Sequence, residues 1–474
     1  MDRQLPAPDA DPFAAAPLPG AWPVLGHAPA LLRDPLSLLA SAVRLGPVAI
    51  ARLGPVRAYL VTDPDLIRAI LVRDAADYDK GFQFDTLRSL IGDGVGTSGG
   101  AAHRRNKSLV RSAFDHSAVE RYATAMAAQT ADHLDARWDP AADGVTVLDA
   151  AAEMRTLAMR LVAHSMSGSE VDADEVTASL PELLSGAGRR ALLPIRTLER
   201  LPTPGNRRFE QSLAAVHAVA DGMVARHRGR AASGDAQEPP TLLSILLSAV
   251  DEDGDGLTDA QAHDEIMTLL LAGTETVAGV LAWALHLLAE DPGLQQRIRE
   301  EVLEVTGGRA PTVAEMRRLD LTERFAKEIL RLYPPGWILG RRPLRDVRLH
   351  DTLVPARSQV LLNFYGLHRD PAAFADPDRF DPDRWIDADP ELVGSHYLPF
   401  GMGPRGCLGE GYAWTEIYGV LCAVVTRYRL ESVPGSRVRA VARTTLHPDT
   451  VPLRLTRCGP AADPPPTRYE AETL

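Results

Sequence analysis

Apolar positions recur along this chain with two different periods, and the changes of period mark its elements. Between residues 48 and 63, VAIARLG and RAYLVTD alternate apolar and polar side chains around a Gly-Pro turn. That period of two predicts a hairpin with one buried face. PDLIRAILV then takes up helical spacing, with proline in the first turn, where its missing N–H costs nothing. Residues 77–100 break the pattern and predict a long loop carrying Phe82, Phe84, Leu87, Leu90 and Ile91. Loops of that length inside compact domains are commonly functional. HRRNKSLVRSAF, residues 103–114, predicts a helix with one strongly basic face. From about 115 to 250 the chain is mostly helical and Ala-rich, and SLPELLSGAGRRALLPIRTLERLPTPGN within it is interrupted by Gly and Pro.

The longest apolar helix starts at Thr258, with Gln261 three residues on to complete a capping box. It runs to about Glu290 and is apolar nearly all round between Ile266 and Leu288. That pattern predicts a helix through the centre of a large core. Two amphipathic helices follow, one ended by Gly307-Gly308 and one, LTERFAKEILRLYPP, stopped by Pro334-Pro335. Short strands, VRLHDTLVPA and QVLLNFYG, come next, and after Cys407 the stretch YAWTEIYGVLCAVVTRYRL returns to helical spacing. The fold class expected is mainly α with a small β-rich lobe. One domain over 18–457 is expected, between a flexible N-terminal tail at 1–17 and a disordered, Pro-rich tail at 458–474.

Composition narrows this picture. The chain has 474 residues and a net charge of −12, which argues against nucleic acid as a partner and for a soluble protein. The N-terminal residues lack the basic start and apolar centre of a signal peptide, so a cytoplasmic protein without a membrane anchor is expected. Three cysteines make no CxxC and no even framework, so neither disulfides nor a structural zinc is expected. DEDGDG at 251–256 opens like a calcium loop but has Ala262 where the twelfth position needs glutamate.

The candidate chemistry lies in FGMGPRGCLG, residues 400–409. Cys407 stands just before a helix, where unpaired backbone N–H groups and the macrodipole favour a thiolate. Glycines around it permit turns that aim N–H groups inward, and Arg405 adds a positive charge. With no second cysteine or histidine nearby, such a sulfur suits one axial position of an iron, as in thiolate-ligated haem. Gly401, Gly403 and Gly406 also spell GxGxxG, but no strand-helix-strand unit surrounds them, so a dinucleotide site is a poor reading.

This decapeptide resembles the haem-binding signature of the cytochrome P450 family, Phe-Gly-x-Gly-x-Arg-x-Cys-x-Gly, at all six fixed positions. The resemblance extends over about residues 18–457 and implies the cytochrome P450 fold. It also implies haem b held by Cys407 as iron ligand, with Phe400 packed beside the sulfur. His103 and Lys107, four apart on one helix face, match the family's contact to one haem propionate, and Arg341 matches the contact to the other. Ala272-Gly273-Thr274-Glu275-Thr276 matches the oxygen-activating pattern: Ala272 and Gly273 make room above the cofactor, and Glu275 and Thr276 deliver protons. Glu328 and Arg331 match the family's Glu-x-x-Arg, which Arg379 of the Pro-Asp-Arg-Phe turn is expected to join. The interrupted segment near 180–206 would be a mobile lid. Phe82, Phe84, Leu87 and Leu269 are expected in the substrate pocket with the trio Trp337, Ile338 and Leu339.

The activity implied is insertion of one atom of O2 into an apolar small molecule, with a terpenoid or polyketide-like intermediate of bacterial secondary metabolism as the first expectation. A fatty-acid hydroxylase, or a peroxide-using or isomerising haem-thiolate enzyme, is the alternative. No flavin or ferredoxin module is present in the sequence, so electrons are expected from a ferredoxin or flavodoxin with its NAD(P)H reductase. Arg104, Arg105, Arg111 and Arg405 are a candidate docking patch. A monomer is expected.

Overall fold

A computed structural model describes residues 15–138, 144–168, 173–192, 201–233 and 240–458. The tail at 459–474 lies outside the described residues, as does most of the one at 1–17. Ala16–Pro17, expected to be flexible, instead forms a short strand, β1, that pairs in parallel with Ala49 and Ile50.

The central helix, Asp259–Glu290, organises the helical body. Its capping box is closed in both directions: the Gln261 N–H donates to Thr258 Oγ1 at 3.3 Å and the Thr258 N–H to Gln261 Oε1 at 3.0 Å. Small side chains then let other elements come close. A Cβ at Gly273 would lie 2.9 Å from Val162 Cγ2, so helix Ala150–Ser167 packs directly on the backbone there. Near the other end, Trp283 stacks on Tyr333 with ring centroids 3.8 Å apart. The cysteine helix, Glu410–Arg427, buries one face in the same core.

The β-rich lobe is built on a six-stranded sheet ordered β1-β2-β3-β9-β6-β4. Its members are β2 Val48–Leu53, β3 Val56–Val61, β4 Tyr78–Lys80, β6 Leu339–Pro343 and β9 Gln359–Leu362, besides β1. The hairpin pairs Val48 with Val61 through to Leu53 with Val56. β5 Val145–Asp149, β10 Tyr428–Ser432 and β13 Pro452–Arg457 form a second sheet, and β7–β8 (Val347–Leu349, Thr352–Val354) and β11–β12 (Ala440–Ala442, Leu446–Pro448) are separate hairpins. One register matters for function: β4 pairs antiparallel with β6 so that Lys80 lies opposite Arg341.

Two stretches differ from their sequence pattern. Residues 77–100 are not one loop, because Phe82–Ile91 forms a helix docked on helix Ala173–Leu192. Its polar residues Gln83, Asp85 and Arg88 hid the apolar spacing of Phe84, Leu87 and Ile91. The segment expected to be a broken lid is helical from Ala173 to Leu192, through Gly186 and Gly188. Those glycines serve packing, since a Cβ at Gly186 would strike the Phe209 ring and one at Gly188 would sit 3.0 Å from Thr444. Of the rest of that segment, residues 193–200 lie outside the described residues, and Pro204 to Asn206 open a further helix, Pro204–Ser233.

Candidate active site

A cavity of about 460 Å³ lies between the central helix and the cysteine loop. Two glycines with positive φ shape the loop, Gly401 at 65° and Gly403 at 72°, a region L side chains avoid. A Cβ at Gly403 would overlap the Leu71 carbonyl oxygen, so the loop lies against backbone that no side chain could approach. The Cys407 N–H donates to the Phe400 carbonyl at 2.9 Å, closing the turn. Cys407 is exposed, but to the cavity, which Phe400, Gly406 and Leu408 also line.

Burial pushes the Cys407 thiol up, opposed by the Gly409 N–H, while the Glu410 carboxylate adds to the rise. Of the sequence argument for a stabilised thiolate, the backbone N–H at the helix entrance is present, at the N-cap Gly409, and the part that rests on Arg405 is corrected. The helix begins only at Glu410, and Arg405 turns away to the Tyr78 carbonyl at 3.2 Å and Asp79 at 3.3 Å. A metal cation held at this sulfur would favour its anionic form.

Basic side chains gather at one edge of the cavity. Lys80, His103, Lys107, Arg341 and Arg405 all line it. Lys80 and Arg341 are 5% and 4% exposed and face each other across the β4–β6 ladder, an arrangement of like charges that is unfavourable in itself. Lys80 Nζ donates to the carbonyls of Val95 and Gly96 at 2.9 and 2.7 Å. Burial first, then Arg405 and Arg341, pull its ammonium down to about 7. Burial and Arg405 lower the Arg341 guanidinium to about 9, and no carboxylate lies in ion-pair range of it among the described residues. Lys107 Nζ donates to the Pro404 carbonyl at 2.6 Å, tying helix Gly100–Arg111 to the cysteine loop. The His103 ring is held neutral, down to about 4, by burial and by Lys80. Its Nδ1–H donates to Val95 O at 3.1 Å; Nε2 is buried and makes no well-formed hydrogen bond, although the Pro404 carbonyl also acts on the ring, and Arg405 Nη1 is buried without a partner.

Asp79 and the buried Glu265, whose carboxyl burial pushes up to about 7, leave the cluster short of negative charge, Arg405 Nη1 lacks an acceptor, and His103 Nε2 can take a proton and then donate. A buried dicarboxylate would supply both. Haem, which pairs a ligand-seeking iron with two propionates, fits Cys407 and this cluster together.

The opposite wall comes from the central helix through Thr268, Leu269, Ala272, Gly273 and Thr276. Thr276 Oγ1 donates to the Ala272 carbonyl at 2.7 Å. Gly273 serves helix packing as well as the cavity, as its contact with Val162 shows. Glu275 does not face this cavity. It lies in a second one, of about 140 Å³, with His447, Arg155 and Arg443, and burial pushes its carboxyl up to about 7 against the lowering influence of Thr445, Arg155 and Arg443.

Of the expected pocket residues, Phe84, Leu269 and Leu339 line the main cavity and Phe82, Leu87, Trp337 and Ile338 do not. The Trp337 ring is buried in the sheet lobe, its Nε1–H donating to the Arg443 carbonyl at 3.1 Å, and Ile338 packs beside it. Leu87 packs into the helical core. Phe82, the first residue of its helix, hydrogen-bonds by its N–H to Gln359. The Glu-x-x-Arg pair is fully buried, with Arg331 Nε and Nη2 each 2.8 Å from Glu328. Its third member is not Arg379 but Arg384, whose Nε lies 2.8 Å from Glu328 Oε1. The Arg379 side chain is exposed, and only its carbonyl takes part, accepting from Arg331 and Arg384. Sequence reading missed Lys80, Arg384 and His447. The chain has only three lysines, and that scarcity is the one sequence feature that sets Lys80 apart.

A helical body, a small sheet lobe and a cysteine loop facing a glycine- and threonine-bearing helix define a haem-thiolate oxygenase. The sequence profile of Cytochrome P450 matches residues 16–452, and the chain belongs to that family as a monooxygenase. Among its relatives are the pentalenene oxygenase of Streptomyces avermitilis, 37% identical over 94% of this chain and 98% of the relative, and two proteins of Streptomyces melanosporofaciens. These are cyclooctat-9-en-7-ol 5-monooxygenase, 36% identical over 91% and 92%, and cyclooctatin synthase, 37% identical over 92% and 94%. Asp259–Glu290 is the one helix among the described residues apolar and long enough to cross a membrane, and most of it is buried inside the protein.

Proposed function

We propose that this protein, a single domain over 18–457, hydroxylates a terpenoid of secondary metabolism in the cytoplasm. It would use haem b and electrons from a ferredoxin or flavodoxin served by an NAD(P)H reductase. The observation that carries the reading is the cavity: a thiol at one wall, a cationic edge, and a lining that is otherwise mostly aliphatic and aromatic. Such a lining recognises shape and apolar area rather than polar groups. The relatives named for pentalenene, cyclooctat-9-en-7-ol and cyclooctatin support a terpenoid over a fatty acid.

When bound, haem supplies dioxygen activation, with the thiolate donating electron density that favours O–O cleavage. The chain's own residues do the rest. Lys80, Lys107, Arg341 and Arg405 hold and neutralise the propionates, and a carboxylate at His103 Nε2 binds together with a proton on that nitrogen. Leu269, Leu339 and Phe84 exclude water from the reacting carbon. Thr276 presents a hydroxyl at the cavity wall, released from the Ala272 carbonyl when a stronger partner arrives, and Glu275 restores the proton it passes on.

Of the four arginines considered for reductant docking, Arg104 and Arg111 are exposed. Arg105 is committed to Asp251 at 2.6 Å and Arg405 to Asp79, so any basic patch rests on Arg104, Arg111 and their neighbours.

Optical titration of the purified holoenzyme with bicyclic and tricyclic terpenes and with C12–C16 fatty acids tests the substrate class. A low-to-high-spin Soret change with a terpene and none with fatty acids is expected. The reverse result, or turnover with peroxide and none with reduced ferredoxin, overturns the reading.

A further inference from the structure

The second cavity has a chemistry of its own. Its floor is the central helix at Glu275, Ala278, Gly279 and Ala282. Its walls are Ala151 and Arg155 from helix Ala150–Ser167, Ser185 from helix Ala173–Leu192, and Arg443, His447 and Pro448 around β12. Gly279 makes the approach of β12 possible, because a Cβ there would already stand 3.2 Å from His447 Cβ. His447 Nε2 lies 3.9 Å from Glu275 Oε1. His447 Nδ1 lies 2.9 Å from the Pro448 carbonyl, an acceptor only, so Nδ1 carries the proton and Nε2 turns its lone pair toward the carboxyl group. At about 140 Å³, the cavity also has room for a few waters at roughly 30 Å³ each.

Glu275 therefore stands between two compartments, one residue from Thr276 along the helix yet on a different face. A buried acid spent in each turnover must be recharged from the side it faces, and the groups facing it are known. The guanidiniums of Arg155 and Arg443 and the Thr445 hydroxyl favour its charged form. Arg443 is also held by Ser185 Oγ at 2.7 Å, and Asp449 acts on His447 from the end of its hairpin. Of these, only His447 is a group that both takes up and gives a proton readily; burial first, with Arg155 and Arg443, holds its imidazole below the ordinary value, so a proton taken up there is readily passed on.

We propose that His447 is the positioning residue that relays protons from water in this second cavity to Glu275. The proposal deepens the proton-delivery reading above and rests on it. The balance is simple. After Glu275 has given its proton toward Thr276, the carboxylate draws a proton from cavity water onto His447 Nε2, and the imidazolium passes it to Glu275, directly or through one water. His447 returns to its Nδ1–H form, and solvent supplies one proton each time the relay operates, two for each dioxygen consumed.

The test uses the holoenzyme with its ferredoxin system and compares Glu275→Gln with His447→Gln, which keeps bulk and polarity but cannot titrate. In His447→Gln, product formed per NADPH falls on the order of tenfold, as loss of a proton-transfer group typically allows. The solvent isotope effect on oxygen consumption rises. Independently of turnover, NMR of 13C-histidine-labelled, CO-bound enzyme follows the His447 titration, and its midpoint falls in Glu275→Gln because a carboxylate partner is lost. If Glu275→Gln uncouples while His447→Gln keeps wild-type coupling and isotope effect, the relay is overturned and the Glu275 reading stands. If Glu275→Gln stays fully coupled, the underlying reading fails instead. A His447 midpoint unmoved by Glu275→Gln also overturns the relay. Should His447→Gln lose its thiolate-type CO spectrum, His447→Asn carries the same comparison.

Discussion

Single side chains in the cavity are set against the stability of the empty fold. Lys80 is the clearest case. Its ammonium titrates near 7 in the folded protein against roughly 10.4 in an unfolded chain. Between those values the unfolded chain holds a proton that the folded one has released, so stability rises with pH through that window and the full penalty is present below it. Lys80→Met should remove this dependence. By differential scanning calorimetry, the haem-free wild type melts higher as pH goes from 7 to 9, below the range in which Arg341 adds a dependence of its own, while haem-free Lys80→Met melts higher than wild type at pH 7 and changes little up to pH 9. Cofactor retention moves the other way, with haem transfer to apomyoglobin expected roughly tenfold faster in the variant, about the contribution of one charge-assisted hydrogen bond. If both quantities move in the same direction, Lys80 is a structural lysine and not a cofactor contact. Nothing in the local sequence around Lys80 distinguishes it, because its role comes from pairing with Arg341, more than 250 positions away.

Among elements, the central helix was legible because every signal along it agrees: capping box, apolar circumference and length. The use made of its small residues was not legible. Gly273 reads as space above a cofactor, but its missing side chain also admits Val162. Gly273→Ala should cost about 1–3 kcal/mol through overpacking, offset in part by the roughly 0.5–1 kcal/mol advantage of Ala over Gly in a helix. Val162→Ala in the same chain should restore most of the loss. Chemical denaturation of the two single variants and the double variant measures the coupling. Additive effects would mean that the two helices do not meet at this point. The helix Phe82–Ile91 shows the opposite failure: a short amphipathic stretch between glycines reads as a loop until tertiary packing gives its apolar side a partner.

For the whole molecule, Glu328, Arg331 and Arg384 join the helix Asp320–Leu332 to the segment leading to the cysteine loop. Breaking one partner of a buried ion network is costly, about 3–5 kcal/mol. Urea denaturation of the holoenzyme should therefore show a loss of about that size for Arg384→Ala and a change within about 0.5 kcal/mol for the exposed Arg379→Ala. Equal losses would return the third place to Arg379. By itself, the sequence determined what contiguous residues can encode: the cysteine loop with its glycines, the central helix and its cap, the hairpin, and the Glu-x-x-Arg spacing on one helix face. Tertiary structure alone decided which distant groups share a compartment. It set Lys80 against Arg341, put Arg384 in place of Arg379, turned Trp337 into the sheet lobe, and separated Glu275 from Thr276 into two cavities. The physical reason is that periodicity fixes a residue's face on its own element. The neighbour waiting at that face is fixed by strand register and helix packing, which depend on the whole chain at once.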